Sequence, residues 1–191
     1  MKGWRKMKKL LCVALAAVLL LGCSPQNQLL ERAMGLRAEM ISKCGSFDAE
    51  VTADYGSKTI RFRMECSFDQ NGNLQFRVKE PATLAGITGK LTASGGKLTF
   101  DQTAMAFETM ADDQLSPVSA PWLLIKTLRG GYLTSCNEED GGLRVAIEDN
   151  YGDDALHLDV WLDGNDLPRS AEIYWQGRRL LTVDVSNFVM E

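Results

Sequence analysis

From Phe47 to Phe68 the apolar side chains fall on every second residue. Phe47, Ala49, Val51 and Ala53 alternate with Asp48, Glu50, Thr52 and Asp54; Ile60, Phe62, Met64, Cys66 and Phe68 alternate with Arg61, Arg63, Glu65 and Ser67. A period of two belongs to extended chain with one face buried and the other wetted. Tyr55-Gly56-Ser57-Lys58 lies between the runs and serves as their turn. The two form a hairpin in which acids on the first outer face oppose arginines on the second. This part of the chain is thereby committed to antiparallel sheet, and the inner face requires an apolar cover.

The same punctuation continues downstream. Asn71-Gly72-Asn73 turns the chain into Leu74, Phe76 and Val78; Pro81 ends that strand, and Leu84, Gly86 and Ile87 lead into a strand through Leu91 and Ala93. Ser94-Gly95-Gly96 returns it through Leu98 and Phe100, giving five strands in a meander. A weaker strand is expected around 104–108 and a loop over 109–115. A second group of strands covers 143–148, 156–162, 171–175 and 179–185, with a tail at Phe188. The turns Tyr151-Gly152-Asp153-Asp154, Asp163-Gly164-Asn165-Asp166 and Gln176-Gly177 separate them.

Two segments have the other period. Leu29, Ala33, Leu36 and Met40 recur at intervals of three and four, with Leu30, Met34 and Ile41 alongside, predicting an amphipathic helix over 28–43 that Gly45 stops. Ser116-Pro117 has the form of an N-cap followed by proline in the first turn. The helix it opens carries Val118, Trp122, Leu123, Leu124, Ile125 and Leu128, too broad an apolar surface for an exposed helix, and Gly130-Gly131 ends it. The predicted fold class is therefore α+β: a curved antiparallel sheet with two helices against its apolar face.

The N-terminus is built differently. Lys2, Arg5, Lys6, Lys8 and Lys9 precede an apolar run from Leu10 to Leu21, the layout of an export signal. A helix of that length reaches only about 18 Å, against the roughly 30 Å hydrocarbon layer of a membrane. The run ends in Leu20-Leu21-Gly22-Cys23. This resembles the bacterial lipobox, which implies cleavage after Gly22 and diacylglycerol on the Cys23 thiol. The expected organisation is a signal at 1–22, lipidated Cys23 and a tether at 23–27, and one domain over 28–191, held on the extracytoplasmic side of a cell membrane.

Charge narrows the partners. Loss of 1–22 takes five of the 21 basic residues and none of the 25 acids, so the mature part carries a formal −9. That excludes nucleic acid as a partner and disfavours unaided binding to anionic lipid headgroups. Cys44, Cys66 and Cys136 remain beside Cys23, with neither zinc nor CxxC redox spacing. One disulfide and three free thiols are both compatible with that count.

The order of elements carries a resemblance. A helix near the tether comes first, followed by long hairpins and the strand end Val78-Lys79-Glu80-Pro81 with Gly86-Ile87. A central helix and the closing block Trp161-Leu162-Asp163 … Pro168-Arg169 … Glu172-Ile173-Tyr174 complete it. Over residues 28–189 this resembles the LolA-like superfamily: lipoprotein carriers and receptors, mycobacterial lipoproteins of the LprG and LppX type, and the GerS-like group of germination lipoproteins. The resemblance implies an incomplete antiparallel barrel plugged by helices. In carriers its interior holds acyl chains, so the implied lining for a hydrophobic ligand is Val51, Ile60, Phe62, Met64, Phe76, Leu91, Phe100, Leu158, Val160 and Ile173, with Trp122 and Leu124 from the plug. In the GerS-like group the same domain is a scaffold for an envelope protein, a cell-wall amidase. A lipid ligand and an envelope protein partner both stand as expectations, and a filled core has the same apolar pattern as a hollow one.

Chemistry-bearing residues are sparse. The single histidine, His157, alternates with inward Leu156 and Leu158 and is expected on the outer face. The acids at 112–113, 138–140 and 153–154 lack calcium-loop spacing, and Arg178-Arg179 marks a hairpin tip. Neither enzymatic activity nor a cofactor or metal is expected.

Overall fold

A computed structural model describes residues 25–56, 58–100, 103–108, 110–111 and 114–191. The expected signal segment, 1–22, and Cys23 lie outside the described residues. Helix α1 (Pro25–Ser42) precedes strands β1 (Gly45–Asp54), β2 (Thr59–Phe68), β3 (Leu74–Glu80), β4 (Thr88–Thr92), β5 (Gly95–Phe100) and β6 (Thr103–Phe107). A small hairpin follows, β7 (Met110–Ala111) and β8 (Gln114–Leu115). A 3₁₀ turn (Pro117–Ser119) leads into helix α2 (Ala120–Gly130). The chain ends with β9 (Tyr132–Glu139), β10 (Gly142–Glu148), β11 (Leu156–Leu162), β12 (Pro168–Trp175) and β13 (Arg178–Met190).

Eleven strands form one open, curved antiparallel sheet in the order β6-β5-β4-β3-β2-β1-β13-β12-β11-β10-β9. Two meanders are joined where the first strand pairs with the last. The register carries apolar rows straight across that seam: Val145, Val160, Ala171, Val183, Val51 and Phe62 stand side by side on six successive strands. A one-residue slip in any strand would turn its whole inner set to water, so these rows fix the pairing. Both helices lie against the inner face, with α1 touching α2 and β9. This is the half-barrel with helices on its concave side that the LolA-like resemblance implied.

Local differences from the expected elements have simple causes. Residues 110–115, expected as a loop, hold the β7–β8 hairpin, too short for a hydrophobic period to register. Ser116-Pro117 opens the 3₁₀ turn, and the α-helix starts at Ala120, where Pro121 sits in its first turn. The polar stretch 137–139 continues strand β9, which lies at the sheet edge and needs no second apolar face.

Two glycines in the first meander permit close aromatic cover. A Cβ on Gly89 would lie 2.4 Å from the Phe76 ring, and one on Gly96 would lie 2.3 Å from the Phe107 ring. Each ring lies over the bare backbone of the neighbouring strand, filling the side-chain position the glycine leaves vacant.

Candidate functional site

The concave face is filled by the chain itself. Val51 on β1, Met64 on β2, Leu91 on β4, Leu158 and Val160 on β11, Ile173 on β12 and Leu124 on α2 are all 0% exposed. Phe62, Phe76 and Trp122 are buried, and Ile60 is half-buried near the end of its strand. A void that held even one water molecule would leave accessible area on the atoms lining it. These side chains have none or nearly none, so the proposed lining is packed core at these positions. Helix α2 supplies the fill, with Leu123, Leu124, Ile125 and Leu128 all buried. Each such side chain stabilises the fold by about 1.5–3 kcal/mol through removal from water.

Phe100 corrects the expectation. It has the inward parity of Leu98 but is 54% exposed at the last residue of β5. Its neighbour across the next pair, Met105 on β6, is 64% exposed. Leu98 and Phe107 are only partly buried, leaving an apolar apron at the β4–β6 end of the concave face.

Polar contacts lock the helices over the core. Trp122 Nε1 donates to the Gly72 carbonyl at 3.2 Å, pinning α2 to the β2–β3 turn. Arg37 Nε donates to the Leu128 carbonyl at 2.8 Å, and Arg129 donates to the carbonyls of Met40 and Gln70. Arg32 on α1 meets Asp166 in the β11–β12 turn, with Nε 2.9 Å from Oδ1. Burial pulls the Arg37 and Arg129 guanidinium groups below the ordinary arginine range, while the hydrogen bond to Asp166 raises Arg32.

The convex face is polar and ordered by cross-strand charge pairs. Glu50 lies between Arg61 (3.4 Å) and Arg63 (3.3 Å), the acid-to-arginine pairing read from the alternation, and Lys79 meets Glu65 at 2.7 Å. On the second meander Arg144 Nη2 lies 2.8 Å from the buried Asp159 carboxylate, which holds the guanidinium above its usual range. His157 is on this outer face as expected, its Nδ1 2.8 Å from Glu148. The alternation hid one feature: Tyr132, Tyr151, His157, Tyr174, Asn150 and Gln176 line an open hollow of about 550 Å³ at the turn end of β10–β12. Tyr151 is 83% exposed, with its ring against that of Tyr132. Burial and a hydrogen bond to Glu172 push the Tyr174 hydroxyl up to about 12. A large aromatic in the turn Tyr151-Gly152-Asp153-Asp154 was the available signal, since turns rarely need one.

This hollow has hydrogen-bonding and stacking groups but no activated nucleophile. The three thiols are unpaired and sit elsewhere: Cys44 is exposed, Cys66 and Cys136 are buried. Burial pushes both buried thiols up, which keeps them protonated and unreactive. No group of three metal-ligating side chains occurs among the described residues.

No protein-family model and no curated protein matches the chain. Solved structures do. An outer membrane lipoprotein-sorting protein domain from Vibrio parahaemolyticus is 10% identical, covering 83% of this chain and 91% of its own, with a TM-score of 0.47. A LolA superfamily protein from Nitrosomonas europaea is 13% identical over 87% and 93%, TM-score 0.41. The Mycobacterium tuberculosis lipoprotein LppX is 11% identical over 86% and 96%, TM-score 0.40.

Proposed function

We propose that the chain is an exported lipoprotein, anchored through diacylglycerol on Cys23, that acts without catalysis as a scaffold for a protein partner at the extracytoplasmic face of a cell membrane. The observation that carries this reading is the filled concave face: residues from both meanders and α2 reach 0% exposure together. An acyl chain would have to displace the α2 plug and its bonds to Gly72 and Met40. The Tyr132/Tyr151 hollow supplies the surface for a partner, because exposed tyrosines bury large area at low entropy cost and are enriched where proteins meet.

A photo-crosslinking residue at Tyr151 in the full lipidated protein tests the reading. A discrete protein adduct, absent with the same probe at Lys97, is the expected result. Stoichiometric lipid retained by the purified protein, with no adduct at Tyr151, would replace this reading with the second. That second reading, a hydrophobic ligand, draws on the exposed apron of Phe100 and Met105, which lies on the concave side where a lipid chain would enter.

A further inference from the structure

Helix α1 is apolar on two faces, and the fold uses one. Ala33, Leu36 and Met40 are buried against the domain, whereas Leu30, Met34 and Ile41 are 44%, 45% and 50% exposed. Spaced by four and seven residues, these three stand in a single line along the helix. A line of large aliphatic side chains in water is unfavourable and has no role in the fold described above.

We infer that this stripe lies on the lipid surface, so that α1 rests flat on the membrane instead of the domain hanging from its tether. The inference rests on the anchoring of Cys23. Only Ser24 separates Cys23 from Pro25, the first residue of α1, a reach of at most about 7 Å. The helix itself is about 27 Å long. Its start is held at the bilayer, and its stripe runs along its length. Lying flat therefore places Leu30, Met34 and Ile41 at the interface together, while standing upright leaves Ile41 far out in water. The lipid anchor keeps the local concentration of membrane high, so three aliphatic side chains suffice to hold the orientation.

The test uses the full lipidated protein in vesicles of phosphatidylethanolamine and phosphatidylglycerol, with Cys44→Ser removing the exposed thiol. An environment-sensitive fluorophore is placed by Met34→Cys, Ile41→Cys or, as a control on the convex face, Lys97→Cys. Labels at 34 and 41 are expected to be at least about threefold brighter than at 97 and to be quenched by spin-labelled lipid. Equal brightness at all three sites overturns the inference. Shielding at 34 and 41 without lipid quenching also overturns it, and assigns the stripe to a second copy of the chain. Flotation of the protein with the vesicles is scored separately. Loss of flotation together with an unmodified Cys23 defeats the anchoring itself, whereas flotation with water-exposed labels defeats the membrane-resting helix alone.

Discussion

Arg37 of α1 hydrogen-bonds the Leu128 carbonyl in the last turn of α2, and Arg129 of α2 hydrogen-bonds the Met40 carbonyl in the last turn of α1. Each cation thus sits at the negative end of the other helix. The two arginines are unequal. Arg129 also binds Gln70, whereas Arg37 leaves its buried Nη2 without a partner. Arg129→Ala is expected to destabilise the domain by about 1.5–3 kcal/mol and Arg37→Ala by about 1 kcal/mol or less, read by urea unfolding. The reverse order would show that the exchange between helices is not what docks them.

Leu124 and Phe100 separate interior from rim. Leu124→Ala opens a cavity under α2 and is expected to cost about 2–5 kcal/mol. Phe100→Ala, at an uncovered strand end, is expected to stay within about 0.5 kcal/mol. Thermal and urea unfolding of both variants check the pair, and similar losses at the two sites would mean that the apron is covered.

Gly89 and Phe76 are coupled through a ring that occupies the missing Cβ position. Gly89→Val is expected to cost about 1–3 kcal/mol by overpacking. Combining it with Phe76→Leu is expected to cost less than the two changes summed, because the smaller side chain clears the clash. Strict additivity in a double-mutant cycle would contradict the contact.

Stability is expected to fall on the alkaline side. Buried Cys66 and Cys136 stay protonated in the native state above the pH at which unfolded thiols ionise, near 9.0. The unfolded chain then binds fewer protons, so the stability these groups contribute is complete below that pH and lost above it. Tyr174, held to about 12, extends the decline beyond the ordinary tyrosine value of 10.0. The urea midpoint should be lower at pH about 10.5 than at about 7.5, with a shallower decline in Cys66→Ala. A thiol reagent applied to the native protein at neutral pH should modify Cys44 and spare the other two.

The strands and helices were legible because their causes are local. Alternation from Phe47 to Phe68 and glycine turns at Gly72, Gly95 and Gly177 act over a few residues, and the Glu50–Arg63 pair followed from register alone. What stayed hidden is set by distant partners. The pairing of Val51 with Val183 joins residues more than a hundred positions apart, and periodicity says nothing about which strands are neighbours. Phe100 has the right parity, but only the fold decides that it faces water. On α1 the line of Leu29, Ala33, Leu36 and Met40 faces the domain as its spacing indicated, but only packing shows that Leu30, Met34 and Ile41 alongside it stay outside. The thiols behaved likewise, since spacing allowed a bridge that the fold does not make.

The seam between β1 and β13 also has a consequence in time. The centre of the sheet is made from its first and last strands, so a chain emerging N-terminus first completes its middle only at the end. Until then the inner edge of β1 is an open template beside an apolar face, and such an edge invites the wrong strand. A domain that matures this way is most vulnerable to proteases and misassembly before its last strand arrives, and a truncation that removes β13 would split the eleven-stranded sheet in two.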